Sequence, residues 1–122
     1  MSSPPDRVLA VVKDLFFVAR IRETARLAGV SLDFARTVEE LEAAVAAGAR
    51  LVLLDLTGGF DYERVFAAVE SLEPGQRPPV LAFTTHALAR STQPWHARCD
   101  RVVTKETLTA ELPQMLMQGI AS

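Results

Sequence analysis

The sequence holds few of the residues that build covalent or metal frameworks. It has one cysteine, Cys99, and two histidines, His86 and His96, in 122 residues. A single thiol excludes an intramolecular disulfide and any multi-cysteine metal site, so Cys99 reads as a buried thiol in a reducing compartment. No ordered Ser–His–Asp or Cys–His spacing is present, and two histidines are thin material for a metal centre. Long apolar runs are missing too: no stretch approaches the ~20 residues of a membrane span. The opening "MSSPPDR" lacks the basic start and long apolar region of a signal peptide. Nor is there an excess of one charge. Thirteen Lys and Arg stand against fifteen Asp and Glu, a formal charge of −2 that gives no general reason to bind nucleic acid or an anionic membrane. Arg20, Arg22 and Arg26 cluster, but Glu23 lies among them, the pattern of a solvated helix face. The expectation is a cytoplasmic protein, with residues 1–6 a disordered tail and residues 7–122 a single domain with no second domain beside it.

Apolar residues, at 49%, are plentiful enough for a real core. "RVLAVV" (Arg7–Val12) is apolar and β-rich, as a strand covered on both faces would be. In "LFFVARIRETARLAG" the period changes: Phe17, Ile21, Ala25 and Ala28 recur at helical spacing, and Gly29 is placed to end the helix in a left-handed turn. "VSLDFAR" alternates Val30, Leu32 and Phe34 against Ser31 and Asp33, a strand with one drier face. Thr37 and Glu40 stand at capping-box spacing before a helix with Val38, Leu41 and Val45 inward and Gly48 at its close. "RLVLLDL" reads as the most deeply buried strand. Asp61 caps a helix with Val65, Val69 and Leu72 inward, and "EPGQRPP" (Glu73–Pro79) is loop. "VLAFTT" is the fourth strand. Ser91, Thr92 and Pro94 interrupt the weak helical pattern of Ala87–Ala97, and "RVVT" is a fifth strand. In "LTAELPQMLMQG" Leu108, Leu112 and Leu116 line one helical face, with Pro113 expected near the first turn.

Five short apolar strands alternating with five helical patterns predict an α/β fold, an open doubly wound parallel sheet covered on both faces. Sites in such sheets form at the carboxyl ends of the strands. Asp55 ends the third strand, Thr84 the fourth, and Lys105 follows the fifth, so the three can meet in one crevice. Each residue also has a purely structural reading. Asp55 could be a strand-end carboxylate paired to Lys13 or Lys105. Thr84 and Thr85 could satisfy loop hydrogen bonds, and His86 could be a structural loop residue. His96 and Trp95 could cover the edge of the core, and Met115 and Met117 could be packing. "LTGGFD" matches neither the dinucleotide fingerprint nor the P-loop and is read as a turn.

Three segments together resemble the CheY-like receiver domains of two-component response regulators. "LVLLDL" puts Asp55 at the phosphoacceptor position. "PPVLAFTTHA" puts Thr84 at the switch Thr/Ser position, and "ARCDRVVTKET" puts Lys105 at the invariant-lysine position. The resemblance covers essentially the whole chain. It implies a flavodoxin-like five-stranded sheet in order 2-1-3-4-5, with Asp55 accepting a phosphoryl group, Mg²⁺ neutralising its oxygens, and Lys105 and the hydroxyl holding them.

The sequence departs from that family where the metal would bind. The acidic pair after the first strand falls on Val12 and Lys13, with Asp14 at the next position. Asp55, Lys105 and an inward Lys13 would together carry +1, or zero with Asp14, and such a pocket has little use for a hard divalent cation. The family's "MMPGMDG" loop becomes "TGGFDYE", Glu106 replaces the proline after the lysine, and Val102 stands where an aromatic ring senses the switch. The resulting expectation is an atypical, stand-alone pseudo-receiver of bacterial type that acts on a signalling protein partner, such as a histidine kinase or downstream effector, and is not an enzyme. Its pocket would comprise Lys13, Asp14, Asp55, Thr57, Thr84, Thr85, His86 and Lys105. No cofactor is expected, Mg²⁺ entering, on Asp55 and Asp14, only if Asp55 is phosphorylated. Trp95, Arg101 and Met115 mark the expected partner surface. Two other readings remain: a phosphorylatable stand-alone receiver, and a flavodoxin-like small-ligand module using Thr57–Gly59 and Thr84–His86.

Overall fold

A computed structural model describes residues 7–118 and shows five parallel strands and five α-helices in strict alternation. The chain runs β1 (Val8–Val11), α1 (Leu15–Ala28), β2 (Leu32–Ala35), α2 (Val38–Ala47), β3 (Leu51–Asp55), α3 (Tyr62–Glu70), β4 (Val80–Thr84), α4 (Ala89–His96), β5 (Arg101–Thr104) and α5 (Lys105–Gln118). The sheet order is β2-β1-β3-β4-β5, the CheY-like flavodoxin arrangement expected from the sequence. The expectation for residues 1–6, and the last four residues of the expected domain, lie outside the described residues.

Strand alternation divides the interior into two layers. On one side Leu9, Val11, Val52, Leu54, Val80 and Ala82 pack against α2 and α3, with Trp95 of α4 closing the margin. On the other, Val8, Ala10, Leu51, Leu53, Leu81 and Phe83 pack against α1 and α5. β3 is buried throughout, as its sequence predicted. By the same alternation Asp55 follows Leu51 and Leu53 towards the α1/α5 layer, and Thr84 follows Val80 and Ala82 towards the α3/α4 layer.

Local signals fix most helix ends. Asp14 caps α1 by accepting from the Phe16 and Phe17 amides at 2.9 and 3.2 Å. Gly29, at φ 71°, ends it with the Val30 amide donating to the Ala25 carbonyl and the Gly29 amide to that of Arg26. Thr37 accepts from the Glu40 amide, but the Glu40 carboxylate reaches the Arg36 amide, one residue before the cap. The box is therefore offset by one position.

Three boundaries differ from the sequence reading. α3 ends at Glu70, so Leu72 packs against the core from just beyond the helix. Pro74–Gln76 forms a single 3₁₀ turn inside the expected loop; a proline opening such a turn gives up no intrahelical bond. α5 begins at Lys105, directly after β5, because Thr104 Oγ1 accepts from the Thr107 amide and caps it. Pro113 thus lies deep in α5, not near its first turn. An interior proline costs about 3 kcal/mol, and burial of Leu108, Leu112, Met115 and Leu116 against the sheet offsets it.

Candidate functional site at the carboxyl edge of the sheet

The loop after β3 is built around Asp55. The residue is 6% exposed. Oδ1 accepts from the Thr57 amide at 2.8 Å and from the Thr57 hydroxyl at 2.6 Å, an Asx turn closed twice over. The Tyr62 hydroxyl donates to the Asp55 carbonyl at 2.6 Å and accepts from the Gly58 amide at 3.1 Å, fastening the loop to the start of α3. Burial raises the Tyr62 phenol above its ordinary pKa, and the negative charge of Asp55 adds to that. A Cβ on Gly58 would lie 2.8 Å from a carbon of the Phe60 ring, so the ring presses on bare backbone there.

Neither lysine pairs with Asp55, contrary to the structural reading of that residue. The Lys13 ammonium donates to the Gly59 carbonyl at 3.4 Å and stands 4.5 Å over the Phe60 ring. The Lys105 ammonium lies 3.8 Å from Asp14 Oδ2 and 4.6 Å over the Phe17 ring. Each cation is held by an aromatic face. Asp14 is committed to capping α1 through Oδ1 and to Lys105 through Oδ2. Asp55 Oδ2 has no protein partner among the described residues, and no fully buried side-chain polar atom there lacks one, so this oxygen keeps contact with solvent.

The remaining expected pocket residues separate into different places. Thr85 accepts from the Leu88 amide at 3.2 Å and lines a cleft of about 630 Å³ between α1 and α5, with Asp14, Phe16, Arg20 and Lys105. His86 is exposed on the loop after β4. Thr84 is buried, with its hydroxyl 3.1 Å from that of Thr92 on α4, which in turn lies 2.8 Å from His96 Nε2. Phe60 and Tyr62 carried no expected role; Thr92 stood only as a break in a helical pattern, and Arg20 only on a solvated helix face. The first two sit in "GGFDY", where an aromatic pair after two glycines was the available signal.

Met115 is corrected outright. It is 3% exposed and belongs to the α1/α5 core, so it cannot form part of a partner surface. Its position one turn from Leu112 and beside Leu116 puts it on the buried stripe of α5. Trp95 is half-buried and stacks on Phe66 at 6.0 Å, with Tyr62 at 5.7 Å; it covers the core edge. Arg101 is exposed, 4.0 Å from Glu111. The large exposed apolar residues lie elsewhere: Leu15 and Phe16 at the start of α1, Leu27 near its end, Leu88 before α4 and Met117 on α5, with Phe16, at 92%, the most exposed of them. Among the described residues no helix is long and apolar enough to cross a membrane. Nor do three or more His, Cys, Asp or Glu there gather as a metal would need.

No protein-family model and no curated protein matches the sequence. Solved structures do. The receiver domain of sensor histidine kinase PA1611 from Pseudomonas aeruginosa superposes with a TM-score of 0.77 at 20% identity, over 97% of this chain and 99% of that one; its structure has a magnesium ion coordinated in the active-site cleft. The chemotaxis protein CheY4 of Vibrio cholerae gives 0.72 at 20% identity, over 95% and 99%. The response regulator RPA3017, in red light signaling of R. palustris, gives 0.70 at 15%, over 94% and 96%. The fold is that of CheY-like receiver domains.

Proposed function

We propose that the chain is an atypical receiver of two-component-type signal transduction. It acts in the cytoplasm through contact with a protein partner and has lost Mg²⁺-dependent phosphorylation. The observation that carries this reading is the position of the Lys13 ammonium, on the Gly59 carbonyl and the Phe60 ring beside the Asp55 loop. By the receiver resemblance, a metal-binding carboxylate would stand there. Asp14 cannot replace it, since one of its oxygens caps α1 and the other faces Lys105. That leaves Asp55 with one unpartnered carboxylate oxygen. A hard cation that wants six or more oxygens finds a poor donor set between two ammonium groups, so the residues present do not fit Mg²⁺.

Partner contact falls to the start of α1. Leu15 and Phe16 are exposed there, and Lys13 and Arg20 flank them without a carboxylate partner among the described residues. A partner segment with apolar side chains beside carboxylates suits that surface.

The test combines chemistry with binding. Incubation with acetyl phosphate and Mg²⁺, read by intact mass, should leave the native chain unmodified, and Lys13→Asp should gain Mg²⁺ affinity. A stable phosphoryl adduct on the native protein overturns the reading. An unresponsive Lys13→Asp would move the cause from the lysine to the loop. Asp55 as a competent phosphoacceptor is the second reading, supported by the solvent contact of Oδ2. Of the residues named for the small-ligand reading, Thr85 lines the cleft between α1 and α5.

A further inference from the structure

The Lys13 ammonium rests on the weaker of two acceptors. It donates to the neutral Gly59 carbonyl at 3.4 Å, beyond the usual range of about 2.7–3.2 Å for such bonds. A carboxylate holds an ammonium more strongly than a carbonyl does, and one borders the same loop. Asp55 Oδ2 has no protein partner among the described residues. It lies beside the two glycines, since a Cβ on Gly58 would come within 3.4 Å of it. The flanking carboxylates are in use, Asp14 as the cap of α1 and Asp61 as the cap of α3. A lysine stem is flexible along its four carbons, so the backbone at Lys13 does not dictate where the charge goes.

What holds the charge is the Phe60 ring, whose face the ammonium meets at 4.5 Å. That ring is itself fixed. It is buried and stands edge-on to Tyr62 at 6.1 Å, and the Tyr62 hydroxyl is tied to the Asp55 carbonyl and the Gly58 amide. Beneath it runs the Gly58 backbone, where a Cβ would lie 2.8 Å from a ring carbon. Gly58 lacks the positive φ of Gly59, so glycine at 58 serves the space the ring needs and not an unusual backbone conformation.

We propose that Phe60 is a positioning residue: its ring, seated on Gly58, draws Lys13 onto the Gly59 carbonyl and so keeps Asp55 Oδ2 free of an internal ion pair. The ammonium has two places, parked on the ring or engaged on Asp55. Cation–π contacts and ion pairs at the solvent edge are of similar, small strength, so removing the ring moves the charge to the carboxylate. With the ring in place, the crevice presents a cation and an anionic oxygen side by side instead of a neutralised pair. The assignment stands on geometry alone, and only its bearing on signalling rests on the receiver reading.

The test is a paired comparison by NMR near neutral pH, read at the Asp55 carboxyl carbon and the Lys13 ε-methylene protons. In the native chain the ε protons should lie upfield of their position in the unfolded chain, because they stand over a ring face. Lys13→Met should there leave the Asp55 carbon nearly in place. Phe60→Leu keeps apolar bulk and removes the ring. In it the ε protons should lose their upfield shift, and the Asp55 carbon should move when Lys13→Met is added. Phe60→Tyr, which keeps the ring face, should restore the native pattern. Should Phe60→Leu fail to fold, Gly58→Ala displaces the ring from below, and the same lysine-dependent shift should appear. An Asp55 carbon that answers Lys13→Met equally with and without the ring, or in neither case, overturns the proposal. No arm uses Mg²⁺, a phosphoryl donor or a partner, so a failure here and a failure of the receiver reading are told apart.

Discussion

The two faces of the sheet are closed by different means. On the α2/α3 face, charge stitches the helices together. Arg64 of α3 pairs with Glu39 and Glu42 of α2, and Arg98 ties the end of α4 to Glu63 and Glu70 of α3. On the α1/α5 face apolar packing holds the helices, with a single ion pair among the described residues, from Lys105 at the start of α5 to the α1 cap Asp14, joining them at the top. That face also leaves Leu15, Phe16, Leu27 and Met117 exposed. A layer held mainly by its core can spare side chains for a partner, whereas a stitched layer fixes the helices that carry Tyr62, Thr92 and His96.

Breaking each core should separate the two faces most sharply. Phe66→Ala on the α3 side and Phe83→Ala on the α1 side should each cost about 3–5 kcal/mol in denaturant unfolding. Only the first removes the ring under Trp95, so only the first should change the native tryptophan emission. Tyr62→Phe comes next, with an expected loss of about 1–3 kcal/mol, since it leaves the Asp55 carbonyl and the Gly58 amide without their shared partner.

The Tyr62 phenol also gives a pH test of the stitched face. Its folded pKa is raised, so its contribution is fully present below the unfolded value of 10.0 and falls as pH rises from there through the folded value. Stability of Tyr62→Phe should lack that part of the alkaline decline. At Cys99, burial pushes the thiol up to about 11, with the charge of Asp100 adding to it. Thiolate at neutral pH should be about a hundredfold scarcer than for an ordinary thiol, and thiol-reagent kinetics should accelerate by that order on unfolding. Smallest is Arg98→Ala: removing exposed ion pairs should cost about 1 kcal/mol or less, and less again at high salt.

What the sequence revealed, and what it concealed, follows the range of the interactions involved. Gly29, Asp14, Thr37 and Asp61 act within a few residues, and an unbroken apolar run such as Leu51–Leu54 can only be central. The alternation of strands and helices was legible through the rhythm of elements, and the order of strands through the resemblance to receivers. Side-chain aim was not. Lys13 turns to Phe60, and Met115 turns inward, because of partners far away in the sequence. Pro113 was misplaced because the start of α5 depends on Thr104, a strand residue that also serves as a cap. Those same tertiary contacts decide which charges the crevice presents.

The direct passage from β5 into α5 carries a mechanical consequence. With no loop between Thr104 and Lys105, the ammonium rides on the first turn of a helix whose Leu108 and Leu112 are sunk in the core. Any tilt or roll of that cylinder swings the charge at the rim together with the leucines below it. Repacking far beneath the crevice would therefore retune the electric field at its mouth, with α5 as the lever.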